Sequence, residues 1–238
     1  VSVVVVIILV AGLWLLVAWA AGRIMDNPRN DAIYGFGLAF TKLYVRLFHG
    51  LRVRGPVPTR ADGCGLIVVV NHTAGVDPVL VQAACPFEIR WMMGRDMMIP
   101  SLDWWWEWLD IIPVDRGEAG KPGNDPTAAK EAIRHLRAGG TVGVFPEGSI
   151  ERPPRTLKPF APGIGLLVRM TKARVLPVII EGTPVTNSAW GSLSVPSRSK
   201  VTLLPIYESP PGKKSAEEIT GAIQNLFVQA TGWPVKDR

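Results

Sequence analysis

The sequence predicts an α/β fold: a mainly parallel, mixed β-sheet flanked by helices, preceded by a membrane helix and an amphipathic interfacial helix. Three observations carry this. Short apolar runs alternate with helical segments from about residue 51 onward, which is how a parallel sheet with helices on both faces is written in sequence. Two of the runs, 66–70 and 141–145, lead straight into loops that carry ionisable side chains, and such loops meet at the carboxyl edge of a parallel sheet. Residues 1–22 carry no charged side chain at all.

As a helix, residues 1–22 span roughly 33 Å, about the hydrocarbon thickness of a bilayer. Ala18-Trp19-Ala20 resembles a signal-peptidase site. The run lacks a basic leader segment and is long for the apolar part of a signal peptide, so a retained membrane helix is expected. Arg23 and Arg29 follow it, which places the rest of the chain on the cytoplasmic side. Asp26-Asn27-Pro28 marks a break. Residues 32–51 then place Ile33, Phe36, Phe40, Leu43, Leu47 and Leu51 at helical spacing. A core-facing amphipathic helix fits that spacing. The position directly after a membrane run favours a helix lying in the headgroup layer.

Strands are expected at 51–54, 66–70, 89–93, 111–114, 141–145, 175–180 and 201–206, each a short apolar run between turn residues. Asp77-Pro78 reads as a helix start, with Asp as N-cap and Pro at the first helical position. Asp125, Pro126 and the closing Gly139-Gly140 delimit a helix near 126–138. Ser215-Ala216-Glu217-Glu218 forms a capping box, followed by Ile219, Ile223, Leu226 and Phe227 on one face. Residues 117–124, rich in glycine, read as a loop. Trp104-Trp105-Trp106-Glu107-Trp108 covers most of a helix circumference. One or two of these rings pack inward, and the rest suit a headgroup-level aromatic patch.

The 238 residues carry a formal net charge of +6. Much of the excess lies between Glu151 and Arg174, where Arg152, Arg155, Lys158, Arg169, Lys172 and Arg174 face the single acid Glu151. A basic strip suits nucleic acid, anionic lipid or a phosphorylated substrate. The membrane run selects the lipid reading over nucleic acid. Cys64 and Cys85 have neither metal-ligand nor disulfide spacing, which fits a reducing compartment. No metal site is expected, because the one His–carboxylate pair has no further ligands at sensible spacing.

Of the three histidines, His49 and His135 fall on helices where solvation is the simplest expectation. His72 alone sits in a strand-to-helix loop with a carboxylate, Asp77, returning toward it. A histidine so placed can act as a general base with a carboxylate behind it. An Asp-Pro pair is equally an ordinary helix start. The residues alone leave both readings open.

Asn71-His72 through Asp77 has the HxxxxD pattern. Ile112-Pro113-Val114-Asp115-Arg116, Phe145-Pro146-Glu147-Gly148-Ser149, and 175–180 with Gly182-Thr183 follow it in order. Together these resemble the four blocks of the glycerolipid acyltransferases, the 1-acylglycerol-3-phosphate (lysophosphatidic acid) acyltransferase family. The resemblance covers about residues 50–185. It implies membrane-anchoring helices over 1–50 and an acyltransferase domain over 51–238. In that reading His72 takes the proton of the acceptor hydroxyl and Asp77 orients the imidazole. The acyl group comes from acyl-CoA or acyl carrier protein as cosubstrate, with no bound cofactor. Arg116 binds acceptor phosphate, for which a guanidinium fork is suited, and Glu147, Gly148 and Ser149 shape the acceptor pocket.

Two departures bear on the acceptor. Ile150 stands where the family often has arginine, with Arg152 two positions on. Ala161 follows Phe160 where the family often has lysine, with Lys158 before it. Lysophosphatidic acid is the default acceptor. Another lysolipid, an aminoacyl lipid, transacylation between phospholipids, hydrolysis, or a non-catalytic lipid-binding module are the alternatives. The wall of an acyl-chain tunnel is the alternative reading of the tryptophan run.

Overall fold

The structure, a computed structural model, describes residues 2–57, 63–115, 125–210 and 214–236. Its seven-stranded sheet comprises β1 (Arg52–Arg54), β2 (Leu66–Val70), β3 (Arg90–Gly94), β4 (Ile112–Val114), β5 (Thr141–Val144), β6 (Arg174–Glu181) and β7 (Lys200–Leu203), in the order β1-β7-β6-β2-β5-β3-β4. All pairings are parallel except β6 with β7. The expected mixed, mostly parallel sheet is therefore what forms, with a strand at each anticipated run and bounds shifted by at most three residues, the largest shift being the end of β7 at Leu203.

β2 is central, and its five residues are all buried. A strand covered on both faces reads as a continuous apolar run rather than an alternating one. Its side chains still divide by the two-residue period of a strand. Leu66, Val68 and Val70 join the core that includes Val45, Leu80 and Val81. Ile67 and Val69 join the opposite core, with Ala128, Leu136, Ile164 and Phe227. The first core lies under α2 (Ala32–Leu47) and α3 (Asp77–Ala84), the second under α5 (Pro126–Arg137), α6 (Gly163–Thr171) and α7 (Ala216–Thr231).

Capping explains where the last helices begin. Asp125 accepts from the backbone N–H groups of Thr127 and Ala128 at the start of α5. Ser215 and Glu218 complete the reciprocal capping box of α7, which ends at Gly232 with φ 67°. α6 and α7 approach closely at Gly165, whose N–H donates to Thr220 Oγ1 at 3.1 Å. A Cβ on Gly165 would overlap the Ala216 carbonyl.

α1 (Val3–Met25) has no buried residue and is apolar and long enough to cross a membrane. Its turn into α2 is tied by Asn27, whose Nδ2 donates to the carbonyls of Ile24 (2.7 Å) and Asp31 (2.9 Å). Gly35 lets α2 lie against the Ile24 carbonyl. In α2 the buried residues are Tyr34, Gly35 and Val45, whereas Ile33, Phe36, Phe40, Leu43 and Leu47 are all exposed. The periodic apolar stripe thus faces outward rather than into the core. Leu51, expected on the same stripe, lies beyond the helix end and packs against the core.

The tryptophan run forms the short helix α4 (Asp103–Trp108). Trp106 is buried and donates to the Ile99 carbonyl at 3.0 Å. Trp104 is 65% exposed, packs edge-on against Trp105, and Trp105 stacks on Trp108. Trp108 in turn reaches α2 at Gly37. One ring faces inward, and the exposed pair extends from the flank of α2.

Two expectations about histidines change. His49 is fully buried, with Nε2 2.9 Å from the Tyr44 hydroxyl and Nδ1 2.8 Å from Ser197 Oγ. It leaves α2 just where the chain turns under the segment before β7, and burial lowers its pKa. His135 is half-buried, its ring filling the space that a Cβ on Gly140 would occupy.

Candidate active site

β2 pairs with β5 on one side and β6 on the other, both parallel. The loops leaving these three strands therefore emerge side by side at one edge. Asn71 directly follows β2, and its side chain continues the pairing to β6: Nδ2 donates to the Ile180 carbonyl (3.0 Å) and Oδ1 accepts from the Ile180 N–H (2.8 Å). The residue before His72 is thereby fixed to β6.

His72 and Asp77 are brought together, Nδ1 lying 3.0 Å from Asp77 Oδ2. Asp77 is fully buried. The same oxygen also accepts from the backbone N–H groups of Thr73 (2.6 Å) and Ala74 (2.8 Å), so the loop closes on its own carboxylate. The expected N-cap role is corrected here. Val76 is the N-cap, Asp77 the first helical residue and Pro78 the second. Standing inside the helix turns the carboxylate back onto the preceding loop, whereas an N-cap would spend it on the helix's own N–H groups. With Nδ1–H donating to Asp77, the lone pair resides on Nε2, the arrangement a base requires. The imidazole stacks on Phe145 at a ring distance of 4.2 Å, and Phe145 stacks on Trp91.

The loop after β5 grips the same peptide. Glu147 Oε1 accepts from the His72 N–H (2.8 Å) and Oε2 from the Lys158 N–H (2.9 Å). The Glu151 N–H donates to the His72 carbonyl at 2.9 Å. Burial pushes the Glu147 carboxyl up to about 7, against the two backbone donors, which favour its charged form. Gly148 has φ 72°, a conformation that glycine adopts without strain. From the third loop, Thr183 Oγ1 donates to Thr73 Oγ1 at 2.8 Å.

The basic residues flanking this loop are engaged with protein. Arg152 Nη1 donates to the carbonyls of Thr73 (2.6 Å) and Glu151 (2.9 Å). Lys158 Nζ donates to Ser149 Oγ at 2.8 Å and to the Ile150 carbonyl at 3.3 Å. Ser149 itself is exposed at the loop surface. Arg116 and residues 117–124 lie outside the described residues. Asp115, just before Arg116, ends at the carboxyl edge of β4, paired with Arg95 at 3.0 Å.

Seven of the eight candidate residues, all but Arg116, thus fall on two adjacent loops and, for Asp77, on the first residue of the helix that one of them enters. Sequence reasoning gave Glu147 a pocket role and did not see its grip on the His72 backbone. It gave no site role to Asn71, Thr73, Thr183 or Glu151, although all four stood in or beside the segments it singled out. An Asn closing an apolar strand was the one available signal, since its partner is more than a hundred residues away.

Comparison with known proteins agrees with this architecture. A family model described as Acyltransferase matches residues 50–181. The 1-acyl-sn-glycerol-3-phosphate acyltransferase of Bacillus subtilis (strain 168) is 27% identical over 156 residues, covering 63% of this chain and 72% of that protein. The crystal structure of the 1-acyl-sn-glycerophosphate (LPA) acyltransferase PlsC from Thermotoga maritima shares the fold, with a TM-score of 0.63 at 20% identity over 85% of this chain and 82% of that one. Since the family model spans more than half of the sequence, this chain belongs to the acyltransferase family and is an acyltransferase.

Proposed function

We propose that the chain transfers a fatty acyl group from acyl-CoA or acyl carrier protein to the free hydroxyl of lysophosphatidic acid, giving phosphatidic acid, with His72 as general base. The observation that carries this is the buried Asp77 carboxylate on His72 Nδ1, which commits Nε2 to accept a proton. The names of the relatives support lysophosphatidic acid as the acceptor.

As the acceptor oxygen attacks the thioester carbonyl carbon, its proton passes to Nε2. The tetrahedral intermediate then collapses, the C–S bond breaks, and the imidazolium returns the proton to the departing thiolate. Asp77 stabilises the imidazolium in between. The thioester brings its own activation, so the step as proposed uses no resident cofactor or metal. Glu147 and Gly148 form the floor of the acceptor pocket, with Ser149, Arg152 and Lys158 at its rim and Arg116 reaching the acceptor phosphate. Residues 1–50 are the anchor: α1 spans the bilayer, α2 and the exposed tryptophans lie at headgroup level, and residues 51–238 work on the cytoplasmic side. The partners are thus membrane lipids and the acyl donor, not nucleic acid.

Purified protein given labelled acyl-CoA, acyl carrier protein thioester and a panel of lysolipids tests the proposal. Transfer to lysophosphatidic acid above the other acceptors, abolished in His72→Ala, is expected. Equal transfer by His72→Ala would remove the base assignment, and preference for another lysolipid would remove the acceptor. Arg116→Ala should raise the apparent KM for the acceptor with kcat little changed.

A further inference from the structure

An ionic cluster beside the loop that carries His72 includes two residues, Glu151 and Lys236, that have no part in the chemistry above. Glu151 is 2% exposed, and its carboxylate is paired with Lys236 through Oε1 and with Lys158 at 3.3 Å through Oε2. The attraction of these two ammonium groups outweighs the burial that opposes ionisation, and holds Glu151 below its ordinary pKa. Lys236 Nζ also donates to the Arg152 carbonyl. It therefore touches both residues whose other groups hold the catalytic loop: the Glu151 N–H on the His72 carbonyl and the Arg152 guanidinium on the Thr73 carbonyl.

Lys236 is delivered by fixed backbone rather than by a free tail. The Leu157 N–H donates to the Pro234 carbonyl and the Lys236 N–H to the Leu157 carbonyl, each at 2.9 Å. This makes a single parallel bridge between Leu157 and Val235. Trp233 anchors the segment, buried in the core that holds Leu157 and Phe160. A buried carboxylate deprived of a partner is costly, so where the two lysines sit governs where Glu151 can sit. Lys158 is shared with Ser149 and the Ile150 carbonyl. Lys236 is the cation that spans residues 151 and 152.

We propose that Lys236 is a positioning residue for His72, acting through Glu151 and Arg152 to hold the carbonyls of His72 and Thr73 in place. This rests on the reading of His72 as the base. Three chains are compared with wild type in the acyl-transfer assay and by hydrogen–deuterium exchange: Lys236→Met, Lys236→Arg and Glu151→Gln. Lys236→Met leaves Lys158 on Glu151, so the fold should stand. Expected are a kcat lowered about tenfold, as small misplacements of a reacting group produce, with acceptor KM within about twofold. Faster exchange should be confined to peptides covering 71–77 and 147–152, with α5 unchanged. Lys236→Arg should restore kcat to within about threefold.

Glu151→Gln, which discharges the cluster from the other side, should give the same local exchange. It supplies the test if Lys236→Met fails to fold. Unchanged kcat and exchange would overturn the proposal, as would a loss confined to KM, exchange raised throughout the chain, or no rescue by arginine. If His72→Ala keeps full activity while Lys236→Met still loosens 71–77, the base assignment falls and the clamp on the loop stands.

Discussion

The backbone N–H of His72 lies 2.8 Å from Oε1 of Glu147, and the other oxygen of that carboxylate accepts from the N–H of Lys158. Glu147 thus joins the loop after β2 to the chain that follows the loop after β5, with both oxygens used as acceptors. A glutamine of the same shape has one acceptor and one donor. Glu147→Gln should leave either His72 or Lys158 facing an N–H group, lowering kcat by about one to two orders of magnitude, the scale of small misplacements of a base. Steady-state kinetics decides it. A kcat unchanged with only acceptor KM raised would assign Glu147 to ligand binding instead.

The same residue gives a pH signature. Burial raises the Glu147 carboxyl from 4.5 to about 7, so between those values the folded chain keeps a proton that the unfolded chain releases. The stability this group contributes is fully present below pH 4.5 and is lost as pH rises through 7. Unfolding in detergent at pH 5 and pH 7.5 should show wild type losing stability relative to Glu147→Gln, by at most about 3 kcal/mol. Parallel pH profiles for the two chains would contradict the shift.

Asp77 separates geometry from charge. One oxygen, Oδ2, gathers the N–H groups of Thr73, Ala74 and the His72 ring. Asparagine with its carbonyl oxygen in that place keeps all three donors and loses the charge and the Oδ1 acceptor that the Thr73 hydroxyl meets at 3.2 Å. With His72 as the proposed base, Asp77→Asn should hold stability to within about 1 kcal/mol while kcat falls about a hundredfold or more, because an imidazolium formed during transfer would go unstabilised. Asp77→Ala orphans two backbone N–H groups and should lose stability as well. Equal melting temperatures for the two variants would argue against the loop-closing role.

How far the sequence carries the reader depends on the range of each interaction. Strands β1 to β7 and the capped starts of α5 and α7 follow from local apolar runs and caps, and those are legible. The adjacency of the loops carrying His72 and Glu147 follows from a parallel sheet and was legible as a rule, though the strand order placing β5 beside β2 was not. His49 shows the limit. Its burial depends on Ser197, which sits far along the chain, so a helix-end histidine looked solvated. Asp77 shows another: Asp-Pro signals a helix start, but a one-residue shift decides whether the carboxylate serves the helix or the histidine. Glu151 and Lys236 meet across 84 intervening positions, and nothing local announces the pair.

The outward stripe of α2 makes a separate prediction. Phe36 and Phe40 are exposed, next to a helix long and apolar enough to span a bilayer. If α2 lies in the headgroup layer, placing carboxylates there opposes its insertion without touching the core. The double variant Phe36→Asp with Phe40→Asp should lose about tenfold in transfer to a long-chain lysolipid held in vesicles. It should keep wild-type transfer to a short-chain, monomeric one. Equal losses on both substrates would show that the stripe serves the fold instead.

Two glycines test whether the close approaches at the site differ in consequence from those in the core. A Cβ on Gly165 would overlap the Ala216 carbonyl between α6 and α7, and a Cβ on Gly75 would overlap the Ala189 carbonyl beside the loop between His72 and Asp77. Neither glycine has a positive φ, so alanine is permitted by the backbone and only the contact is at issue. Both contacts are to backbone, which yields less readily than a side chain tip. At Gly165 two helices must move apart, which should cost about 1–3 kcal/mol and leave kcat near wild type below the melting transition. At Gly75 the partner is the segment whose Ser192 Oγ accepts the Val76 N–H at 2.9 Å. The displacement there falls on the loop between His72 and Asp77, so Gly75→Ala should lower kcat about tenfold or more even where it costs little stability. Thermal unfolding and kcat measured on both variants decide it. A Gly75→Ala chain with wild-type turnover would show that the loop tolerates movement, and that the 3.0 Å His72–Asp77 contact is held without help from the segment at 189–194.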